Sequence, residues 1–389
     1  MKKNYFLGAA ANYSRKQRLL HTFSIGKQSD INDLKDFLAK KYDGKAMITK
    51  NGRSALTLAL RANLPKGSRV IVNGFTCYAV IEAVRAAEME PVFADIDKKT
   101  LNFDVNTIKA ALAAACPSDT LRAAGMQSIQ AESSRSAEHI AASTALIIQN
   151  TLGNMVDIEK IEKFATENNI VIIEDLAHCA GASYADGREA GTVGAATALS
   201  FGKDKSIDTI SGGAVVFRTK IPKFSDPRMR PRLSDHLRER FYPMFGAMSR
   251  GLTRIHLGGA FMKLLVLIRF VQRSADNKLE TNRKISKFEA KLALRQLQDL
   301  EEGPIRNYFL VKDRAELLKK LREAGYYFEG FWYEKPVSPA RYYEKVEFPE
   351  ENCPVAVEVA EKIINVPTFY TEEQLQPALK IINKYVEKD

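Results

Sequence analysis

Short apolar runs of strand length alternate with helical patterns through the first half of the chain, and this alternation restricts the fold most. The runs are AMIT, VIVNGF, PVFADI, ALIIQN, VIIED and AATALSF, between residues 46 and 201. Strands separated by helices of this length indicate crossover connections and a mainly parallel sheet with helices on both faces. The sequence therefore predicts an α/β fold whose ligand binds at the carboxyl ends of the strands.

Changes in composition divide the chain into three parts. Residues 1–217 predict a large α/β domain, interrupted at 117–143 by a polar stretch that we interpret as a surface insertion. Residues 218–280 form a second insertion, because 218–273 contain 13 Lys/Arg against 3 Asp/Glu around an apolar stretch. Helical and aromatic patterns in residues 281–389 predict a smaller α+β domain.

Bulk properties exclude several classes of protein. The formal charge of +11 favours anionic partners, yet no nucleic-acid-binding motif is present, so we predict no nucleic acid partner. The four cysteines and five histidines lack metal-ligand spacing, which predicts no metal site and suits a reducing cytoplasm. The apolar stretch 257–271 is too short to cross a bilayer and contains two basic residues, and the basic N-terminus has no signal-peptide core.

Three chemical groups are predicted to meet at one edge of the sheet. Asp175 ends the run VIIED, and Lys203 and Lys205 follow the run ATALSF. In the stretch 49–60, TKNGRSALTLAL, a glycine turn begins an amphipathic helix, whose N-terminal N–H groups can bind phosphate. Taken singly, these features are also typical of a helix cap, a surface loop and an ordinary turn.

Together, the three groups match what pyridoxal phosphate requires. A lysine amine bonds to the cofactor aldehyde, a carboxylate keeps the pyridine nitrogen protonated, and a helix N-terminus holds the phosphate. The sequence contains neither a P-loop motif nor a G-x-G-x-x-G dinucleotide motif. It therefore predicts pyridoxal phosphate rather than a nucleotide cofactor.

Several motifs resemble those of one family. They are NGRSAL, the segment TLGNMVDIEKIEKFA, EDLAH, and SFGKDK followed by Gly-Gly seven and eight residues after Lys205. On these motifs the chain resembles the DegT/DnrJ/StrS family of pyridoxal-phosphate-dependent sugar aminotransferases, from about residue 29 to the C-terminus, outside the two insertions. The resemblance implies an aspartate-aminotransferase-like fold, known as fold type I.

The resemblance assigns roles to individual residues. Lys205 would bond to the cofactor, Asp175 would contact the pyridine nitrogen, and His178 would lie near the ring hydroxyl. Lys203 and Lys205 would point the same way in an extended chain, so only the motif spacing selects Lys205. The resemblance implies further cofactor contacts at Gly52, Arg53, Ser54, Cys77, Tyr78, Ala177, Ser200 and Asn282.

Three of these positions carry particular expectations. Arg53 stands where the family usually has a small threonine, and Cys77 stands where an aromatic residue commonly stacks on the cofactor ring. Stacking would then pass to Tyr78 or be absent. Asn282 corresponds to the residue with which the family's partner subunit reaches the phosphate, which implies a homodimer with shared active sites.

The resemblance implies transfer of an amino group from an amino acid, with glutamate as the expected donor, to a nucleotide-linked keto-sugar. Family members that are dehydratases replace the lysine with histidine, so Lys205 argues against that activity. An alternative is a non-catalytic protein that binds pyridoxal phosphate or a nucleotide sugar. We predict a cytoplasmic protein. The segment 245–272 suggests weak contact with the membrane surface, and the alternative is that its apolar face packs against protein.

Overall fold

The computed structural model describes residues 5–6, 13–115, 144–253, 257–267, 279–300, 302–328, 332–368 and 370–387. The predicted insertion 117–143 lies outside these residues. The centre of the structure is a seven-stranded sheet in the order β2-β9-β8-β7-β6-β3-β5. Its strands are β2 (Lys45–Thr49), β3 (Arg69–Asn73), β5 (Glu90–Ala94), β6 (Thr144–Ile148), β7 (Val171–Asp175), β8 (Ala196–Ser200) and β9 (Gly213–Phe217).

The predicted parallel arrangement is confirmed, with one strand reversed. β9 pairs antiparallel with both β2 and β8, and the other pairs in the sheet are parallel. The six predicted strands coincide with observed strands to within a few residues. The sequence analysis did not identify β9 as a strand, although GAVVF is an apolar run directly after the Gly-Gly pair.

Helices cover both faces of the sheet, and successive strand residues point to opposite faces. In β7, Ile173 packs into one core and Ile172 into the other. One face is covered by α3 (Gly52–Asn63) and α4 (Tyr78–Ala86), and the other by α2 (Gln28–Lys41), α5 (Val105–Ala114), α6 (Ile158–Glu167) and α9 (Lys287–Gln298). The α/β fold class is therefore confirmed.

Two helices of the second insertion lie outside this sandwich. They are α7 (Leu233–Thr253), which contains Pro243, and α8 (Gly258–Leu267). Helix α7 packs against α8 and against the early helix α1 (Arg15–Phe23). A buried ion pair between Lys50 and Glu239, with Nζ and Oε1 2.5 Å apart, joins α7 to the end of β2.

The C-terminal part contains the short strand pairs and helices predicted for a smaller domain. Its elements are β10 (Arg306–Leu310), α10 (Arg314–Glu323), β11 (Tyr326–Tyr327), β12 (Val337–Ser338), α11 (Pro354–Lys362), β13 (Ile363–Pro367) and α12 (Glu372–Ile382). β10 pairs antiparallel with β13, and the N-terminal strand β1 (Tyr5–Phe6) pairs with β11. β12 pairs with β4 (Thr76–Cys77) of the large domain. The exact domain limits stay a prediction.

Candidate active site

The carboxyl edge of the sheet brings together the predicted phosphate turn and Ser200. Asp175 ends β7 and Ser200 ends β8, while Gly52 begins α3 behind its N-cap, Asn51. A Cβ at position 52 would lie 2.6 Å from the Ser200 Cβ, so only glycine allows the helix to start this close to Ser200. A Cβ at Gly213 would lie 2.6 Å from the Gly52 nitrogen. The turn, the end of β8 and the start of β9 thus form one tight cradle.

The two candidate lysines lie on the loop from residue 201 to residue 211, which we call the lysine loop. The loop is not extended, because Asp204 between the lysines has a φ of 61°, in the left-handed region. Lys203 Nζ lies 4.0 Å from the ring centre of Tyr242 on α7, whereas Lys205 Nζ lies 3.0 Å from His178 Nε2. The premise of an extended chain was therefore wrong, and the two side chains point to different places.

The contact between Lys205 and His178 has a defined hydrogen-bonding direction. Leu152 donates its backbone N–H to His178 Nδ1 at 3.1 Å, so a neutral His178 carries its proton on Nε2. Leu152 has a φ of 57°, and this left-handed backbone aims its N–H at the ring. The Nε2–H then donates to Lys205 Nζ, which can accept only as an uncharged amine.

Burial shifts the titration of all three predicted catalytic groups. Burial is the largest cause that lowers the pKa of Lys205, against nearby acidic groups that raise it. The pKa of His178 is lowered well below 6.5 by burial and by the charges of Lys205 and Arg306. Burial raises the pKa of Asp175, and a 3.0 Å hydrogen bond from the Ala177 N–H opposes this rise. Burial thus favours the uncharged forms of Lys205 and His178, in the same sense as the hydrogen-bonding direction.

The C-terminal part contributes three side chains that the sequence analysis did not identify. The indole of Trp332 stacks on His178 at 5.1 Å, and its ring centre lies 4.5 Å from Lys205 Nζ. The buried guanidinium of Arg306 lies 5.0 Å from the same ring, and burial lowers the pKa of Arg306 to about 10. Tyr333 stacks on Phe75 at 4.5 Å. The aromatic stretch that holds Trp332 was visible in the sequence, but nothing local placed it at Lys205.

The residues after the phosphate turn have partners within the chain. Arg53 forms an ion pair with Glu82, so its guanidinium contacts α4. The Ser54 hydroxyl accepts the backbone N–H of Glu280 at 3.1 Å. The Asn282 side-chain oxygen accepts the backbone N–H of Arg228 at 3.0 Å. The cofactor roles of Arg53, Ser54 and Asn282 stay predictions.

The two candidate stacking residues differ in position. Cys77 is half-buried at the N-cap of α4, where its sulfur accepts the Ala79 N–H at 3.5 Å. The Tyr78 ring stacks on Tyr342 at 4.3 Å with an interplanar angle of 6°. Tyr78 is thus engaged with the C-terminal part, while Trp332 is the aromatic ring beside Lys205.

The fold, together with the half-buried Lys205 in contact with His178 after the carboxyl end of β8, is that of the aminotransferase class. A solved structure of the putative sugar aminotransferase Spr1654 from Streptococcus pneumoniae, in its PMP form, is similar with a TM-score of 0.64 at 16% identity, covering 98% of this chain and 97% of that one. The chain belongs to the DegT/DnrJ/EryC1/StrS aminotransferase family, whose model matches residues 31–381. The predicted family and fold are confirmed.

Curated relatives are similar over parts of the chain. L-glutamine:2-deoxy-scyllo-inosose aminotransferase of Streptomyces kanamyceticus is 27% identical over 280 residues, 71% of this chain and 52% of that protein. GDP-perosamine synthase of Escherichia coli O157:H7 is 30% identical over 176 residues, 45% of this chain and 41% of that protein. The chain thus spans about half the length of the curated relatives it matches.

Proposed function

We propose that this protein is a pyridoxal-phosphate-dependent aminotransferase that acts on a sugar. The observation that carries the proposal is the 3.0 Å contact of the half-buried Lys205 amine with His178, whose Nδ1 accepts the Leu152 N–H. This arrangement favours the uncharged lysine, which is the form that acts as a nucleophile and a base. Membership of an aminotransferase family supports the same activity.

The residues at the sheet edge fit the cofactor. The first turn of α3 packs closely on Ser200, and the Ser54 N–H of this turn donates to its N-cap, Asn51, at 2.9 Å. We propose that the positive end of this helix and the Ser200 hydroxyl hold the phosphate. In this proposal Asp175 holds the pyridine nitrogen and Lys205 bonds to the aldehyde. When bound, pyridoxal phosphate supplies an electron sink for carbanionic chemistry at the amino donor.

The chain's own groups move the proton. With the cofactor bound, the Lys205 amine would take the α-proton of the amino donor, hold it as an ammonium ion, and give the same proton back to complete the transfer. His178 Nε2–H orients the Lys205 lone pair through the 3.0 Å contact, and its lowered pKa keeps the ring neutral. The Trp332 indole lies over both groups and shields them from water, which strengthens these interactions.

For the substrates, we propose glutamate as donor and a nucleotide-linked keto-sugar as acceptor. Arg306 supports an acidic substrate, because it is a buried cation next to Trp332 and its charge acts on Lys205. The name of the GDP-perosamine synthase supports a nucleotide sugar, and that of the inosose aminotransferase supports a cyclic keto-alcohol. We retain the homodimer with shared sites as part of this proposal, to be checked by sedimentation velocity.

The first experiment identifies the lysine. Purified protein is incubated with pyridoxal phosphate, reduced with borohydride, digested, and analysed by mass spectrometry, for wild type, Lys205→Ala and Lys203→Ala. We expect a covalent label on the peptide with Lys205 in wild type and in Lys203→Ala, and none in Lys205→Ala. Lys203 is a matched control, since it is also half-buried on the lysine loop but contacts Tyr242. A label on Lys203, or no label in wild type, would contradict the proposal.

The second experiment separates donor from acceptor. Formation of 2-oxoglutarate from glutamate in a single half-reaction tests the donor, and a panel of keto-sugar nucleotides and free keto-cyclitols tests the acceptor. Arg306→Gln should raise the KM of the substrate whose anionic group it binds by about tenfold, as expected for a charged hydrogen bond of about 1.4 kcal/mol. Unchanged KM values for both substrates would exclude Arg306 as their anchor.

A further inference from the structure

Three helices form a surface beside the lysine loop, which α7 contacts through Tyr242. α1 and α8 both pack on α7. Arg240 on α7 donates to the Thr22 carbonyl near the end of α1 at 2.8 Å, and Ser249 on α7 donates to the Gly258 carbonyl of α8 at 3.1 Å. We call the solvent-facing side of α1, α7 and α8 the three-helix surface.

The three-helix surface exposes a row of large apolar side chains. On α7, Leu233, Leu237, Met244 and Met248 are exposed at spacings of four, seven and four residues, which places them on one side of the helix. Phe23 at the end of α1 and Leu267 at the end of α8 are 71% and 78% exposed. Single exposed apolar residues are normal, whereas a periodic row on adjacent helices marks an interaction surface.

The charges on the same helices have one sign towards solvent. The two acids of α7 are buried, at 7% exposure for Asp235 and 4% for Glu239, and each is paired with a basic residue. The sequences of α1 and α8 contain no acid. Arg15, Lys16 and Lys263 are exposed on these two helices. The surface therefore combines apolar side chains with exposed positive charge.

We propose that the three-helix surface docks on an anionic lipid membrane, with the helices lying in the plane of the interface. An apolar row flanked by Lys and Arg is the pattern by which amphipathic helices bind such membranes. A second copy of the chain is a poorer occupant, because a symmetric contact would bring the same positive charges together. No helix within the described ranges is both long and apolar enough to span a bilayer, so contact would be peripheral. The predicted segment 245–272 is described only at 245–253 and 257–267.

The test is co-sedimentation of the full chain with vesicles of phosphatidylcholine, with and without phosphatidylglycerol. We expect at least tenfold stronger binding to the anionic vesicles, weakened by salt. A variant with Leu233→Ser, Leu267→Ser and Leu264→Ser, the last also exposed on α8, should bind at least tenfold more weakly. A Lys16→Glu, Lys263→Glu variant should lose the preference for anionic lipid. Ile221→Ser is the matched control, because Ile221 is 68% exposed but lies outside the three helices.

Other outcomes would overturn the proposal. Equal binding to both kinds of vesicle, or no binding by wild type, would show that charge and apolar exposure here do not serve a membrane. Sedimentation velocity tests whether a second copy covers the surface instead. If wild type and Ile221→Ser are dimers and the leucine variant is a monomer, the surface binds a second copy of the chain. All substituted side chains are exposed, and unchanged circular dichroism and melting temperature verify the fold. The test does not depend on aminotransferase activity.

Discussion

Glu174 and Asp175 are neighbours in β7 that point to opposite faces, and we predict opposite consequences of neutralising them. Glu174 is fully buried and its carboxylate accepts five hydrogen bonds. Four of them come from the N–H groups of Gly191, Val193 and Gly194 and from the Tyr184 hydroxyl, at 2.7 to 2.9 Å. Arg218 lies 3.2 Å from the same carboxylate. Glu174 therefore holds the loop before β8 and contributes to stability rather than to chemistry.

The cost of Glu174→Gln follows from these contacts. In the less costly orientation of the glutamine amide, its nitrogen replaces Oε1. The Tyr184 hydroxyl can then accept a hydrogen bond instead of donating one, but the Gly191 N–H loses its acceptor. Leaving this buried N–H without a partner costs about 1 to 3 kcal/mol. The loss of the negative charge beside Arg218 adds to this, although Arg218 keeps its bonds to the Gly194 and Gly191 carbonyls. We expect a total loss of roughly 3 kcal/mol.

Asp175→Asn is the matched variant. Burial raises the pKa of Asp175, so a neutral amide relieves a desolvation cost and should leave the free energy of unfolding within about 1 kcal/mol of wild type. The same substitution removes the charge opposite the pyridine nitrogen and should lower transamination strongly. Urea unfolding is followed by far-ultraviolet circular dichroism and by fluorescence of Trp332, the only tryptophan in the chain. The reasoning is refuted if Glu174→Gln is as stable as wild type, or if Asp175→Asn loses as much stability as Glu174→Gln.

Three further predictions concern other parts of the structure. Gly52→Ala places a Cβ 2.6 Å from the Ser200 Cβ, so the free energy of unfolding should fall by about 1 to 3 kcal/mol. The same variant should bind pyridoxal phosphate more weakly in a titration. Gly251→Ala, whose Cβ meets nothing within 4 Å, should show neither effect. Burial lowers the pKa of His21 to about 4, so the unfolded chain takes up the His21 proton before the folded chain does as pH falls below 6.5. The free energy of unfolding of wild type should therefore fall by up to about 1.4 kcal/mol per pH unit. His21→Phe should remove this slope in urea unfolding at several pH values. Lys50→Met leaves the buried carboxylates of Glu239 and Glu289 without their cation and should lower the free energy of unfolding by about 3 kcal/mol or more. Adding Glu289→Gln should recover part of that loss in the same assay, because burial and Glu239 raise the pKa of Glu289. No recovery would contradict a shared cluster of the three residues.

The sequence predicted what local patterns determine. Strand-length apolar runs gave the parallel strands of the sheet, and the position of Asp175 at the end of one run placed it at the carboxyl edge, where the structure has it. The reversal of β9 was not predictable from periodicity, because strand direction depends on how the chain turns between strands. Side-chain alternation could not separate Lys203 from Lys205, because it does not reveal the left-handed backbone at Asp204; the motif spacing alone selected Lys205.

The remainder of the site depends on contacts between distant parts of the chain. Trp332 and Arg306 are each more than 100 residues from Lys205, and only the docking of the C-terminal part brings them to the lysine. Arg53 is a similar case, since its partner Glu82 lies on the next helix and takes up a charge that the sequence left available for phosphate. Pairing and packing over such separations have no local signature in one sequence.

Contacts with the lysine loop and with the end of β2 limit how far the predicted second insertion can be treated as a module. Tyr242 on α7 lies under Lys203 and packs edge-on against Tyr13, whose hydroxyl donates to Asp208 on the lysine loop at 2.8 Å. Glu239 on α7 pairs with Lys50. Transplanting the insertion into another scaffold would therefore require its partners at 13, 50 and 203 as well. Deleting it would remove the ion-pair partner of the buried Lys50 and the Tyr242 ring that packs on Lys203. Evolutionary gain or loss of this segment should accordingly leave correlated changes at those positions.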